Sequence, residues 1–199
     1  MFIVSLVCGF AGPFADKIYT IDYWHPLTLT NTAVGIEAFI FGFAFGGVAA
    51  VLYEETFRKR ISKRRVRVKK KLADIGFLLL LFPTLFLFSF FILEVGSFYA
   101  TVIGGTLSLA YMLWCRPDLW PDAVVTGILT TIIGAGSYFL LFTVWPNFIH
   151  DFWVLNSTWY TTLWFGIPLE EYIWYFLIGA NIGPLYEFMT SKRLVRARK

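Results

Sequence analysis

Long apolar segments constrain this chain more than any other feature. Of its 199 residues, 58% are hydrophobic and only 15% are charged, whereas soluble domains have about 25% charged residues. Apolar runs of about 20 residues match the thickness of a bilayer core. The sequence therefore predicts an all-α integral membrane protein with about six transmembrane helices, over 1–15, 33–57, 72–95, 97–115, 122–145 and 163–189.

The basic residues are concentrated in two segments. Of the 17 Lys and Arg residues, ten lie in 58–71 and five in 192–199. Because cytoplasmic loops carry such an excess, both segments and both termini are predicted to be cytoplasmic, with 16–32 and 146–162 outside. These charges would contact anionic lipid headgroups, and no nucleic acid partner is expected. The outer interface is then expected to hold the aromatic residues Trp24, Trp145, Trp153 and Trp159.

One sequence pattern recurs after 133 residues. Glu37 matches Glu170, and Leu52-Tyr53-Glu54 matches Leu185-Tyr186-Glu187. Both acid-bearing helices run from outside to inside in the predicted topology, which indicates two parallel repeats with a site at their interface. The predicted division is a reduced first repeat of two helices (1–57), a basic cytoplasmic loop (58–71), a connecting helix (72–95), a second repeat of three helices (97–189) and a basic cytoplasmic tail (190–199).

Three glutamates near helix starts are candidate catalytic residues: Glu37, Glu170 and Glu171. Charged side chains are costly inside a bilayer and mark functional sites there by default. Neighbouring helix residues point in different directions, so we expect Glu37 from one repeat to face Glu170 or Glu171 from the other. A low dielectric and a second nearby acid both favour the neutral form of a carboxyl group, which would provide one proton donor and one acceptor.

Other roles stay open for the same polar residues. Each glutamate at a helix start could instead cap its helix, because anions are favoured at helix N-termini. Glu54 and Glu187 adjoin basic residues, so ion pairs are expected there. Asn181 could serve only to join two helices. Since aromatic faces stabilise cations, substrate contacts are expected from residues near the acids, namely Trp174, Tyr175, Asn181, Phe41 and Trp164.

No metal, disulfide or cofactor is expected from the sequence. Cys8 and Cys115 lie in apolar segments, and His25 and His150 lie in separate loops. This distribution lacks the spacing of metal-ligand clusters. No glycine-rich dinucleotide motif follows a strand, which excludes a flavin-binding fold of that type.

The string Gly166-Ile-Pro168-Leu-Glu170-Glu171-Tyr-Ile-Trp-Tyr, followed by Leu185-Tyr186-Glu187, resembles the lycopene cyclase domain family. Its members carry Pro-x-Glu-Glu or Pro-x-Glu-Asp at the head of the last helix of each three-helix repeat, and the fused form has seven helices. The resemblance implies a carotenoid end-group cyclase acting on a hydrophobic polyene without net redox change. It also implies catalytic roles for Glu170 and Glu171, with Glu37 as the matching acid of the first copy.

The first copy departs from that motif. Gly35 stands in place of the proline and Ala38 in place of the second acid, and a counterpart of helix 97–115 would lie before Met1 or is missing. Two other functions therefore stay open. One is a transporter or proton pathway, which requires a polar track between the outer and inner acids. The other is a non-catalytic cyclase-like subunit of a homo- or hetero-oligomer.

Overall fold

The chain is mostly helical, as predicted. A computed structural model describes residues 1–65, 72–156 and 158–196. Among these residues, four helices are long and apolar enough to cross a membrane: Phe2–Asp22, Ile36–Thr56, Ser97–Cys115 and Pro117–Val144. The predicted mostly helical fold with several candidate membrane-spanning helices is therefore confirmed, whereas the predicted number of about six is not.

The described residues contain eight helices, numbered in chain order. They are α1 (Phe2–Asp22), α2 (Ile36–Thr56), α3 (Leu72–Phe91), α4 (Ser97–Cys115), α5 (Trp120–Val144), α6 (Phe148–Phe152), α7 (Leu169–Ile182) and α8 (Leu185–Thr190). Single 3₁₀ turns cover Pro117–Leu119 and Trp159–Thr161. The strands are β1 (Lys59–Arg65), β2 (Leu163–Trp164), β3 (Ile167–Pro168) and β4 (Lys192–Arg196).

Helix α1 is longer than the sequence predicts. The predicted bounds end at residue 15, with a continuation beyond Pro13 left open, and the helix does continue through Pro13 to Asp22. A proline removes one helical hydrogen bond, and membrane helices tolerate this where neighbouring groups compensate. The extension brings Asp16, Tyr19 and Tyr23 into the bundle instead of leaving them in an outer loop.

The last predicted helix, 163–189, is shorter at its start and interrupted near its end. Strands β2 and β3 pair as a hairpin. Its two turn residues, Phe165 and Gly166, have φ angles of 52° and 82°, the positive values of a type I′ turn. Pro168 then precedes α7 with extended backbone, and Gly183-Pro184 separates α7 from α8.

Small residues bring the helices close together. A Cβ atom on Gly42 of α2 would collide with the carbonyl oxygen of Cys8 on α1. In the same way, a Cβ on Gly179 of α7 would collide with Thr130 of α5. These contacts agree with the expected packing role of small residues at membrane helix interfaces. Helix α7 contacts α5, α4 and α2, so it lies at the centre of the bundle.

The two basic segments pair with each other. Strands β1 and β4 form an antiparallel sheet in which Lys59 lies opposite Arg196. Arg58 and Ser191, which are 133 residues apart, precede these strands with left-handed φ angles of 47° and 54°. The first residues of α2 and α7 differ by the same 133 positions. The predicted loop and tail therefore meet in one sheet.

Acidic residues are buried at the end of the bundle that carries this sheet. The guanidinium of Arg116 donates to the carbonyl oxygens of Glu187 and Lys192 and pairs with Asp118. The Glu187 side chain is buried, and Glu54 and Asp122 are its electrostatic neighbours. The predicted ion pair of Glu187 with a basic side chain is therefore not found within the described part of the chain.

Replacing Gly42 with alanine is predicted to destabilise the protein. The added methyl group would force the α1 and α2 backbones apart, and overpacking of this kind costs about 1–3 kcal/mol. The midpoint of thermal unfolding in detergent should fall. Gly136→Ala on α5 is the matched control, because a Cβ there meets no atom within 4 Å. If both variants unfolded at the wild-type midpoint, the α1–α2 contact described here would be wrong.

Candidate functional site

The carboxyl group of Glu171 joins three helices. Glu171 lies in the first turn of α7 and is only 5% exposed. The hydroxyl of Tyr23, the residue directly after α1, donates to Oε1 at 2.5 Å, and the Tyr138 hydroxyl of α5 donates to Oε2 at 2.6 Å. Both oxygens therefore have a fixed hydrogen-bond donor, which satisfies the polar group despite its burial.

Aromatic rings surround this carboxyl group. The Tyr138 ring lies 5.9 Å from Trp153 and 6.4 Å from Tyr175, measured between ring centroids. The Trp174 ring lies 5.5 Å from Phe45 of α2. Aromatic faces attract cations, most strongly where water is excluded. An acid and a wall that can stabilise positive charge therefore adjoin each other.

Glu171 lies on the wall of an elongated cavity of about 880 Å³. One stripe of α7 and α8 forms this wall: Glu171, Trp174, Tyr175, Ile178, Asn181, Ile182 and Leu185. The fourteen-residue step from Glu171 to Leu185 corresponds to roughly 21 Å of helix. The remaining walls come largely from α1, α2 and α3 and are mostly apolar. A cavity of this shape suits a long hydrophobic molecule.

Two further carboxyl groups line the cavity, and both come from the first 57 residues. Asp16 of α1 is 6% exposed and accepts the indole N–H of Trp24 at 2.9 Å. Glu37 of α2 is partly exposed, and its Oε1 accepts the backbone N–H of Leu29 at 2.7 Å. Glu37 thus fixes the loop before α2. This role resembles the helix-capping alternative, because Glu37 accepts a backbone N–H at the start of its helix, but the N–H belongs to the preceding loop.

Glu170 points away from the cavity. It is 1% exposed but does not line the cavity wall, and it interacts electrostatically with Asp22 and Glu171. The stripe that continues from Glu170 includes Leu177, which packs on Gly105 of α4. Neighbouring helix positions differ by about 100°, so Glu170 and Glu171 occupy separate environments, as the sequence predicts.

The predicted pairing of acids across the repeats is not found as a direct contact. Glu37 and Glu171 line the same cavity, yet the described residues show no hydrogen bond between them. Both oxygens of Glu171 accept from Tyr23 and Tyr138, and Oε1 of Glu37 accepts from Leu29, while Oε2 of Glu37 is buried without a hydrogen-bond partner among the described residues. A backbone N–H and two hydroxyl groups donate to the other three oxygens, so neither acid is bound directly by the other.

Four of the five predicted substrate contacts line the cavity. These are Trp174, Tyr175, Asn181 and Phe41. Asn181 also donates to the carbonyl of Gly105 at 3.1 Å, so it joins α7 to α4 as well. Trp164 does not line the cavity: it is 56% exposed, because the β2–β3 hairpin replaces the helix predicted there.

Sequence reasoning missed Asp16, Tyr23 and Tyr138. Asp16 and Tyr23 were placed in an outer loop, and Tyr138 had no feature that separated it from other apolar helix positions. A signal was present in α1, because Asp16, Tyr19 and Tyr23 follow the i, i+3, i+7 spacing of one helix face. Trp24 and Trp153, which are predicted to lie at the membrane interface, pack together beside the site with their ring centroids 5.3 Å apart.

No metal centre is found in the part of the chain that the structure describes. No group of three or more His, Cys, Asp or Glu side chains there has an arrangement that could hold a metal ion. Cys8 and Cys115 are free thiols.

Comparisons of the chain with models of known protein families, with curated proteins and with solved structures find no match. The resemblance to the lycopene cyclase domain family therefore rests on the residues of 166–175 and 185–187 and on their membrane setting. The function of this chain is therefore inferred from the geometry of the site.

Removing one tyrosine hydroxyl is predicted to destabilise the protein through Glu171. In Tyr138→Phe, Oε2 of Glu171 would be left buried without its donor, which costs about 1–3 kcal/mol. In a Glu171→Leu background the same substitution should cost much less, so the difference in thermal stability measures the coupling between the two residues. Tyr99→Phe, at a partly exposed position on α4, is the control. Equal costs in both backgrounds would show that the hydrogen bond is absent.

Proposed function

We propose that this chain is a membrane carotenoid end-group cyclase, which closes a ring at the end of a linear, lycopene-like polyene. One observation carries the proposal. Glu171, in a sequence that resembles the cyclase motif, is held by two tyrosine hydroxyls on the wall of a long apolar cavity. The substrate is a lipid, so it would reach this cavity from the bilayer.

The proposed reaction needs an acid and a base but no oxidant or reductant. A carboxylic acid transfers its proton to the terminal alkene, which leaves a tertiary carbocation. A second alkene of the same molecule attacks this carbon, a ring C–C bond forms, and the positive charge moves to a ring carbon. A carboxylate then removes a proton from the adjacent carbon to give the ring double bond. Atoms and electrons balance as an isomerisation, with one proton added and one removed.

The environment of Glu171 supports this chemistry. Carbocations are quenched by water, so a cavity with a mostly apolar wall protects them. The rings of Trp174, Tyr175 and Phe45 lie within 6 Å of one another in centroid distance and face the same space. Such faces stabilise positive charge without acting as nucleophiles. The proposal thus uses the acid, the rings and the cavity together.

The proposed membrane arrangement has six crossings, cytoplasmic termini and two parallel repeats. Helices α7 and α8 together span 169–190, about 33 Å of helix, which is enough for one crossing despite the break at Gly183-Pro184. The pairing of β1 with β4 supports a common side for both basic segments. The matched positions of Arg58 and Ser191 support the duplication.

The two alternatives have less support. A proton pathway needs polar groups from Glu171 to Glu187. Asp16, Tyr19, Ser108 and Asn181 are polar residues of the cavity wall, but neither Glu54 nor Glu187 lines the cavity. A non-catalytic subunit is favoured by Ala38. However, Glu171 and both of its tyrosine partners belong to this chain, so the site does not require a residue from a second one.

The direct test is expression in cells that accumulate lycopene. The wild-type chain should yield ringed carotenoids, resolved by chromatography and mass spectrometry. Glu171→Gln should reduce ring formation by roughly 100-fold or more, since it removes a proton-transfer group. Asp151→Asn, which alters an exposed acid of α6 that accepts from Trp145, should behave as wild type.

Glu170→Gln, tested in the same assay, distinguishes the role of Glu170 from that of Glu171. The resemblance gives both a catalytic role, whereas only Glu171 lines the cavity. Unconverted lycopene in membranes that contain folded wild-type protein would refute the proposed function. Normal cyclisation by Glu171→Gln would refute the role of that residue.

A further inference from the structure

We propose that Asp16 is the second acid of the cavity, so that a reacting end group, or another lipophilic cation, binds between Asp16 and Glu171. The catalytic part of this inference rests on the proposed function. The binding part does not, because it concerns only a cation with an apolar chain.

Asp16 is an unusual residue for its position. It lies within an apolar helix, is 6% exposed and lines the cavity. Its hydrogen-bond donor in the structure is the indole N–H of Trp24, and its electrostatic neighbour Glu37 is another acid. Within residues 1–65, 72–156 and 158–196 it forms no ion pair. A buried carboxyl group with one neutral donor and no cation is costly, which indicates that the position serves a purpose other than stability.

The face of α1 that carries Asp16 runs along α7. The Trp174 indole N–H donates to the Tyr19 hydroxyl at 3.1 Å, and the Tyr23 hydroxyl donates to Glu171. Moving from Tyr23 to Tyr19 on α1 therefore corresponds to moving from Glu171 to Trp174 on α7. Asp16 continues the same face, seven residues or roughly 10 Å of helix from Tyr23. The two acids thus lie at different depths of one cavity, with the ring of Trp174 at the depth between them.

The other acids near the cavity are less suited to this role. Glu37 is partly exposed, and one of its oxygens is occupied by the N–H of Leu29. Glu170 does not line the cavity. Among the described acids that do, Asp16 and Glu171 are the two that are buried.

The proposed division of labour follows from their hydrogen bonds. Glu171 accepts two hydroxyl hydrogen bonds, which orient both oxygens as acceptors. It is therefore assigned as the base that removes the ring proton. Asp16, with a single N–H donor, is assigned as the acid that protonates the terminal alkene. After each turnover, one proton returns from Glu171 to Asp16, and no other reactant is consumed.

The binding part is tested with a protonated amine. N,N-dimethyldodecylamine carries a positive charge near neutral pH, and N-methyldodecanamide is an uncharged ligand of similar chain length. Purified protein in lipid nanodiscs would be titrated with each, and quenching of tryptophan fluorescence would report occupancy, since Trp24 and Trp174 line the cavity. We expect the wild type to prefer the amine. Asp16→Asn should weaken amine binding by roughly tenfold, because the asparagine side chain, unlike the acid, cannot give up a proton and become the anionic partner of the ammonium group, and should leave amide binding unchanged.

Three comparisons make the result specific. Asp151→Asn should retain wild-type amine binding, and Asp16→Glu should restore part of the affinity. An unfolding midpoint of Asp16→Asn close to wild type shows that the fold is intact. Equal amine affinity for Asp16→Asn and wild type, or an amine preference lost in Glu37→Gln instead, would overturn the assignment of Asp16.

The catalytic part is tested with the same variants in lycopene-producing cells. Asp16→Asn should form no ringed products although it binds the amide normally. Ring formation at the wild-type rate by Asp16→Asn would overturn the role of Asp16 as proton donor and leave the proposed function standing. If the wild type binds the amine through Asp16 but leaves lycopene unconverted, the proposed function fails and the cation site stands.

Discussion

The need to satisfy one buried carboxyl group organises this bundle. Leaving a buried carboxyl without donors costs about 1–3 kcal/mol or more if it is charged, and the apolar segments around Glu171 supply none of their own. The donors come instead from Tyr23 at the end of α1 and Tyr138 on α5. The hydrogen bonds of Glu171 therefore hold α7 to α5 and to the end of α1 at one wall of the cavity.

Close helix approach makes that arrangement possible. A Cβ on Gly134 of α5 would lie 2.7 Å from the ring of Tyr175, so the glycine allows α7 to approach within reach of the Tyr138 hydroxyl. Gly42 has the same function between α1 and α2. Membrane helices associate largely through such packing, since the lipid provides little hydrophobic driving force. The hydrogen bonds of the polar site thus depend on the close helix packing that the small residues allow.

The sequence predicts the class of the fold and much of the site, for identifiable reasons. Apolar runs and clustered charges are strong signals, so the helices at 36–56, 97–115 and 120–144 differ from the predicted bounds by at most three residues. The regular period of α7 places Glu171, Trp174 and Tyr175 near one another.

The errors arise where single residues change the backbone conformation within a segment whose average composition is helical. The predicted end of α1 at residue 15 is too early because the helix continues past Pro13, and Phe165-Gly166 form a hairpin turn inside a segment of helical composition. The partners of Glu171 come from other helices, and a single sequence has no signal for contacts of that range.

The two halves of the proposed duplication are unequal in a way that fits one elongated substrate. Ala38 and Gly42 stand 133 positions before Glu171 and Tyr175, and all four residues line the same cavity. Where the second half has an acid and an aromatic ring, the first half has a methyl group and a hydrogen atom. Two full sites would fill the space between α2 and α7 with side chains and bring like charges together, which a low-dielectric interior disfavours. In the proposed duplication, the small residues of the first half therefore avoid a further costly acid and, under the proposed function, leave room for the chain of a substrate whose end group lies at Glu171.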